Sequence, residues 1–591
     1  MTKPSVNTLL AIFSLLLGAG LPGQAAAEVC GAPATAIHQI QGSGPASPLT
    51  GQKVTVEGIL TQDSRHPGGF GGFYLQQADA ETDQNPATSE ALFIYTRLGK
   101  GKPGQRLRLS GTVKEYHGLT ELVDIRTLKV CGDAPLPAPI DVSLPWSQPP
   151  ESLENMRVRF TGPLTVIDHY NLTVFGELTL AATDQVTPTE YLPPGKKAAR
   201  QRQQNHQHRV VLDDGKAVRN PDPVPWPPAG LAHPNTVRAG DTVAGIEGVL
   251  DFRFGQWRVQ PSSQPSFKRV NARPQPPARA PKPSYRVMTL NLENYFNGDG
   301  QGGGFPTARG AANRSAFQQQ SQRLVAAILE PDPDILAVTE MENDGYGPHS
   351  ALAELTRQLG ADWAFIATPG RDGSDAIRNA VLYRSDRVIP IGDANRPDTG
   401  RASNLGRPPI AQVFHFPGHS HTVRVVVAHL KSKSCRNAHG ADSDQNDGQG
   451  CFNHQRTQSA KAMLDWLNSL PPPEGFAGNL ITGDLNSYAK EDPIQVLVDG
   501  GYTSLVHHFH PCDGERCNHH SYRYRGEKGS LDYALASGTL TPNVQNAQSW
   551  NINADEPRAL GYGQAHGHSV RGPWRSSDHN PVITDLNFQT P

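Results

Sequence analysis

Short stretches of alternating apolar and polar residues dominate the first part of the chain. "KVTVEGIL" sets Val54, Val56 and Ile59 against Thr55 and Glu57, and "GGFYLQQ", "ALFIYT", "QRLRLSGTVKEY" and "GLTELVDI" follow in the same manner, punctuated by Gly58, Gly72, Gly111 and Gly118. Period-two alternation bounded by glycine predicts half-buried strands. About five such strands in residues 28–140 predict a small barrel or sandwich. "MRVRFTGPLTV" and "GDTVAGIEGVLDFRFGQWRV" echo the pattern, which predicts a second β module over 145–265, a possible repeat of the first. Inside it "PPGKKAARQRQQNHQHR" is expected to be a mobile solvated insertion, with Lys196, Lys197, Arg200, Arg202 and Arg209 free to meet phosphates.

The pattern then changes. "PSSQPSFKRVNARPQPPARAPKPS" predicts an extended, semi-rigid proline-rich linker, 266–284, at a domain boundary. Beyond it, over 285–588, strands such as "YRVMTLNL", "DILAVTEM", "VRVVVAHL", "NLITGDLNS" and "PVITDL" interleave with the helical patterns "QQQSQRLVAAILE" and "QSAKAMLDWLNSL". Strands alternating with helices predict a layered α/β domain with its site at the strand ends. For the first module, the five-stranded oligonucleotide-binding (OB) barrel is the commonest architecture of that size.

Length and composition add the setting. A chain of 591 residues exceeds one core and predicts three or four units. Residues 1–27 carry Lys3, an apolar run from Leu9 to Leu17 and small residues at Ala25 to Ala27, the signature of a secretory signal peptide cut after Ala27. The run is shorter than the roughly 20 residues that span a bilayer, and no other segment reads as a membrane span. Export to the medium or periplasm suits six cysteines, read as the pairs Cys30 and Cys131, Cys435 and Cys451, and Cys512 and Cys517. The competing reading is zinc, because His507, His508, His510, His519 and His520 flank "CDGERC". A formal charge of −2 excludes a protein that coats nucleic acid through a general basic surface, so any such contact is local.

In the α/β segment one apolar run after another delivers a polar residue to its edge. Asn291, Glu340, His429, Asp484 with Asn486, Asp532, and Asp578 with His579 all stand in this position. A single acid there would be a cap or turn residue, but six such endings point to a site. Asn291, Glu340, Asp484, Asn486 and Asp578 are hard oxygen donors suited to magnesium, manganese or calcium, and the histidines can exchange protons near neutral pH. That pairing fits attack of water on a phosphodiester.

"TLNLEN", "AVTEMEND", "VAHLKSK", "ITGDLNS", "GSLDYALAS" and "SSDHNPV", in this order, resemble the endonuclease/exonuclease/phosphatase superfamily, of which DNase I is the type member. The resemblance implies a four-layered α/β sandwich. It implies that Glu340 binds the divalent metal, Mg2+ or Mn2+, with Asn291 and Asp578 close by. Asp484 is shared between metal and water, and Asn486 helps position water and phosphate. His579 is implied as general base held by Asp532, His429 as the group assisting the leaving oxygen or holding phosphate, and Arg378 in "AIRNAVLYR" as a phosphate contact. Within the superfamily the chain looks most like secreted bacterial nucleases of the ExeM/NucH type, which carry an OB-like module, "HLKSK" and an acidic glycine-rich insertion. Here that insertion holds Asp442, Asp444, Asn446 and Asp447, which resemble a calcium loop, although the glycine falls one place late for an EF-hand.

The expectation is therefore a secreted, monomeric, metal-dependent endonuclease acting on DNA, with RNA left open. Two alternatives stand beside it: a phosphodiesterase or phosphatase of the same fold acting on phospholipid or inositol phosphate, and an inert DNA- or surface-binding protein. Phe70, Phe73, Tyr74, Phe93 and Tyr95 of the first module are read either as base-stacking residues or as core.

Overall fold

The computed structural model describes residues 29–281, 284–368, 372–397 and 407–588, so the signal peptide expected at 1–27 lies outside the described residues. The chain divides into two compact units. The first comprises residues up to Ile140 with Pro149–Arg157 and Val249–Gly255, and the second holds the remainder.

In the first unit the five expected strands close into a barrel. The sequence-ordered strands Lys53–Ser64, Gly72–Gln76, Ala91–Tyr95, Gln105–Tyr116 and Leu119–Asp133 pair in the order first, second, third, fifth, fourth, and back to first. Only the third and fifth are parallel, Phe93 facing Glu121. This is an OB-like arrangement. The alternation directs Val56, Leu60, Phe73, Leu75, Leu92, Ile94, Leu107, Leu109 and Leu122 into one core. Tyr74 and Phe93 point the other way, yet they too are fully buried. They pack with Leu119 and Val249, the Tyr74 hydroxyl donates to Asp251 at 2.5 Å, and the Arg253 guanidinium lies 4.3 Å from the Phe93 ring centre. Of the five candidate stacking aromatics, three are core, Phe70 is half-buried and Tyr95 is exposed. Cys30–Cys131 links the unit's first described residues to its fifth strand.

The second β module is not a second barrel. Its strands in the second unit lie in an open sheet, in the order Ser266–Lys268, Thr242–Ala244, Leu164–Asp168, Leu178–Ala181, Arg209–Leu212, Gln256–Pro261. The basic insertion is a correction of another kind, because Lys196–Gln207 is a helix rather than a mobile loop. Arg202 and Arg209 are paired with Glu527, while Lys196, Lys197 and Arg200 are exposed. The proline-rich segment is extended but not free. Arg273 reaches Glu556, Arg279 holds Asp332 and Asp334, and the carbonyls of Pro277 and Ala278 accept from Arg286. A linker with its backbone and side chains so engaged is a strap along the α/β domain.

That domain holds two six-stranded sheets. One runs Trp363–Phe365, Ile377–Arg384, Ile335–Glu342, Tyr285–Tyr295, Val582–Leu586, Val544–Ser549. The other runs Ile389–Asn395, Ile410–His415, Thr422–His429, Phe476–Asp484, Asp532–Ser537, Tyr502–Ser504. Side-chain alternation explains the layering. Val287, Ile335, Ala337 and Val381 of the first sheet meet Phe414, Val423, Val425, Val427, Leu480 and Ala534 of the second in the central core. The intervening Met288, Leu290, Leu336 and Val338 turn outward onto helices Arg314–Leu329 and Ala351–Leu359. Val426, Ala428, Ile481 and Leu535 turn outward onto Asn453–Ser469 and Asp492–Asp499. Helix, sheet, sheet and helix give the four layers expected. No helix among the described residues is long and apolar enough to cross a membrane.

Candidate active site

Strand register assembles the site. His429 pairs with Asp484 across the parallel ladder of Thr422–His429 and Phe476–Asp484, and Asp484 pairs with Asp532 across the next, antiparallel ladder. Three strands thus present His429, Asp484 and Asp532 in one row at the sheet's end. The fit requires glycine before Asp484, because Gly483 has φ +128° and a Cβ there would sit 2.1 Å from the Ala428 carbonyl oxygen.

The other sheet supplies its row through broken register. Pairing shifts between Asn291 and Tyr295 and between Val338 and Met341, so both strands bulge as they leave the sheet. In these bulges Glu293, Asn294 and Glu340 have φ of 52°, 58° and 60°, and Asn486 after Asp484 has 48°. Left-handed non-glycine backbone costs of the order of 1–3 kcal/mol per residue and gathers where surrounding structure enforces it. Here it turns Glu340 out of the strand, and its Oε2 accepts the Asn294 amide at 2.9 Å.

The two rows meet. Asn291 Nδ2 donates to Asp484 Oδ2 at 3.2 Å, and His429 Nε2 lies 3.4 Å from the same oxygen. Asp484 Oδ1 accepts the Asn486 amide at 2.9 Å. His579 Nδ1 contacts Asp532 Oδ2 at 2.7 Å, which leaves Nε2 of His579 available to the site. The Ser577 hydroxyl ties this turn to the Asn291 carbonyl at 2.6 Å, and Ser521 Oγ accepts the amides of Leu531 and Asp532. The Tyr522 ring lies 4.5 Å from the His579 ring, centre to centre.

The electrostatics are those of crowded, buried acids. Burial and the neighbouring Asp578 raise Glu340 above its ordinary value. Burial, with Asp532 and Glu340, pushes Asp484 up to about 7 against the pull of His579. Burial outweighs Arg575 and lifts Glu293 to about 7 as well, although Arg575 grips it at 2.6 Å. Burial opposes charge on His579, but Asp532 and Asp578 overcome it and hold the imidazole well above the usual histidine range. His429 goes the other way, held neutral by burial and by Arg407. Acids that suppress one another's charge form a setting a divalent cation would relieve, and the donors Glu340, Asn291 and Asp578 are the hard oxygens that magnesium or manganese takes. Asp484, Asp532 and His579 also bring one ligand atom each within 4.8 Å; there His579 turns Nδ1 to Asp532, which leaves Nε2 facing the site as a group able to handle a proton.

Not every expected residue joins this cluster. Arg378 is 1% exposed, paired with Asp372 at 2.8 Å and stacked 4.0 Å from the Tyr346 ring centre, so its cation is engaged inside the domain. Cations whose field reaches the site include Arg407, which acts on Glu340 and Asp484, and Arg309, which acts on His429. Both pair with Asp375. Sequence reading passed over them, along with Glu293, Arg575 and Tyr522; "TLNLEN" held the one available signal, a second acid beside a strand end. In the insertion, Asp442 caps the helix through the Gln455 amide, while Asp444 and Asp447 accept the amides of Asn446 and Gln449. These carboxylates serve local turns and are not in any of the described three-residue groups able to hold a metal. All three expected disulfides are present.

Residues 288–579 match the profile of the Endonuclease/Exonuclease/phosphatase family, and residues 150–272, the second β module, match a domain of unknown function, DUF8508. Among solved structures, the chain is similar to the catalytic domain of human Nocturnin, with 17% identity, 52% of this chain and 95% of that one covered, and a TM-score of 0.34. It is similar to an endonuclease/exonuclease/phosphatase from Bacteroides vulgatus at 15% identity, covering 52% and 100%, TM-score 0.34. A Bacteroides thetaiotaomicron mannosyl-6-phosphatase is also similar, at 17% identity, covering 51% and 100%, TM-score 0.33. No curated protein sequence matches the chain.

Proposed function

With residues 288–579 belonging to the endonuclease/exonuclease/phosphatase family, we propose that the protein is a secreted, divalent-metal-dependent endonuclease that hydrolyses extracellular DNA with little sequence preference. The single observation that carries this reading is the meeting of two strand-end rows, Asn291 and Glu340 from one sheet with His429, Asp484 and Asp532 from the other, joined through the 3.2 Å contact of Asn291 with Asp484.

Glu340, with Asn291 and Asp578, would hold Mg2+ or Mn2+, which offsets charge growing on the phosphoryl oxygens. Asp532 fixes the ring of His579 through Nδ1; a cation held by Glu340 and Asp578 would offset the acids that now keep the ring protonated, and Nε2 could then take the proton of the attacking water. Asp484 and Asn486 orient that water and the phosphate. His429, neutral and beside Asp484, donates to a phosphoryl or leaving oxygen. Arg407 and Arg309 supply the positive field assigned by sequence to Arg378. Lys431, exposed two residues beyond His429, and the exposed Lys196, Lys197 and Arg200 offer backbone-phosphate contacts without base readout, which fits low sequence preference. The three disulfides suit an oxidising compartment.

The test is a digestion panel of duplex DNA, single-stranded DNA, RNA, a sugar phosphate and sphingomyelin vesicles, each with magnesium, manganese, calcium or chelator. Metal-dependent fragmentation of DNA, lost in Asp484→Ala and His579→Ala, is the expected result. Turnover of the phosphomonoester or lipid in place of nucleic acid would overturn it.

A further inference from the structure

The histidine-rich segment that the catalytic reading leaves unused converges with an acid from the second β module. Glu190, His507 and His519 each bring one ligand atom within 4.8 Å of the other two. Glu190 and His519 are buried, at 1% and 5% exposure. Glu190 Oε1 lies 2.8 Å from His507 Nε2, and the two imidazole rings meet edge to face with centres 4.6 Å apart.

Each of the three side chains is oriented from behind. Glu190 Oε2 accepts the amides of Ser530 and Ala489 at 3.2 and 3.3 Å, which leaves Oε1 directed at the histidines. The Ser504 hydroxyl lies 2.8 Å from His507 Nδ1, and that of Ser530 lies 3.3 Å from His519 Nδ1. Partners on both Nδ1 atoms turn both Nε2 atoms inward, so that a metal entering here would replace the 2.8 Å contact of His507 Nε2 with Glu190 Oε1 and keep the outer support that metal-bound histidines have. The Cys512–Cys517 disulfide tightens the loop between the two histidines, and Cys512 Sγ lies 3.7 Å from His519 Nε2. Two imidazoles and one carboxylate, Glu190 and His519 buried and His507 partly so, form the donor set of zinc, with a fourth position for water.

We propose that Glu190, His507 and His519 form a zinc site that fastens the second β module to the catalytic domain. Its neighbourhood already joins the same two parts. Thr189 donates to Glu491 at 2.9 Å, and Gln185–Val186 pairs in parallel with Glu527–Lys528. The segment from His519 leads directly to Ser521, whose hydroxyl holds the amide of Asp532, so a metal here braces the support of the His579–Asp532 pair without touching substrate. The site does not depend on the nuclease reading, and a failure of either leaves the other standing.

The experiment uses full-length protein stripped by chelator, then loaded with zinc and followed by bound-metal content and Tm. Wild type is expected to bind one tight zinc per chain, with Tm rising by about 5 °C. Glu340→Gln, which removes the carboxylate expected to hold the catalytic metal, should keep that zinc. His519→Asn and Glu190→Gln should bind it at least tenfold more weakly and lose the Tm gain. Because those variants could fold poorly, cobalt replaces zinc in wild type as a second measurement, and strong visible bands of four-coordinate cobalt are expected. Wild type that takes up no tight zinc, zinc that survives His519→Asn, zinc that is lost with Glu340→Gln, or cobalt that shows only weak six-coordinate absorption would each overturn the proposal.

Discussion

Asp532→Asn isolates what the His579–Asp532 contact does, because asparagine fills nearly the same volume at a position only 2% exposed. In the native site the carboxylate holds His579 Nδ1 at 2.7 Å, and burial on both sides keeps water from substituting for it. An amide cannot restore this. If its nitrogen faces Nδ1, the ring must take the other tautomer and Nε2 carries the proton it should accept. If its oxygen faces Nδ1, a charge-assisted bond of about 1.5–3 kcal/mol becomes a neutral one of about 0.5–1.5 kcal/mol. Loss of the positioned proton carrier removes roughly a 10²–10⁴-fold contribution, which is about 3–5 kcal/mol of barrier. The expected outcome is a fall of that size in kcat on a fluorescent DNA duplex, with KM changed only a few-fold. The Tm should fall modestly, because the weakened bond to His579 is only partly offset by the repulsive neighbour that Asp484 loses. A loss under fivefold, or one expressed entirely in KM, would refute the assignment of Asp532 as the orienting group.

Glu340→Gln should abolish metal-dependent cleavage by more than about 10³-fold, and magnesium should no longer raise Tm; calorimetry with and without the ion checks both. Gly483→Ala should cost more than about 3 kcal/mol, because the new methyl meets the Ala428 carbonyl and the φ of +128° strains any side chain; thermal unfolding reads it. Asp555 is opposed by burial, yet His520 and Arg523 prevail and hold its carboxyl well below the usual range. A depressed carboxyl contributes stability above its unfolded value near 4, and that contribution is lost as pH falls further. Asp555→Asn should therefore lower stability by about 3 kcal/mol at pH 7, with the gap to wild type narrowing below about pH 4; a gap that does not change with pH would contradict this.

The strand-end residues were legible because period-two apolar runs and a polar terminus are local features. So was the first barrel, whose five strands follow one another with glycine punctuation. What escaped reading depends on partners hundreds of positions away. Nothing near Glu190 announces His507, and nothing in "KKAARQRQQ" shows that Arg202 finds Glu527 and so settles a helix. The second module shares strand pattern with the first, yet pairing order, which the pattern does not encode, makes it an open sheet. Arg378 and Arg407 look alike in sequence; only the placement of Asp372 decides that the first is locked away from the site.

The strand Val582–Leu586 lies inside its sheet, between Tyr285–Tyr295 and Val544–Ser549, and Arg286 pairs with Asp585, 299 positions later. Synthesis therefore delivers an interior strand of that sheet, and the adjoining Asp578 and His579, long after the strand they must join. Until then the half-made domain has a gap in its first sheet and no proton carrier. On the proposed function, a growing chain therefore stays catalytically silent until this strand has joined its sheet.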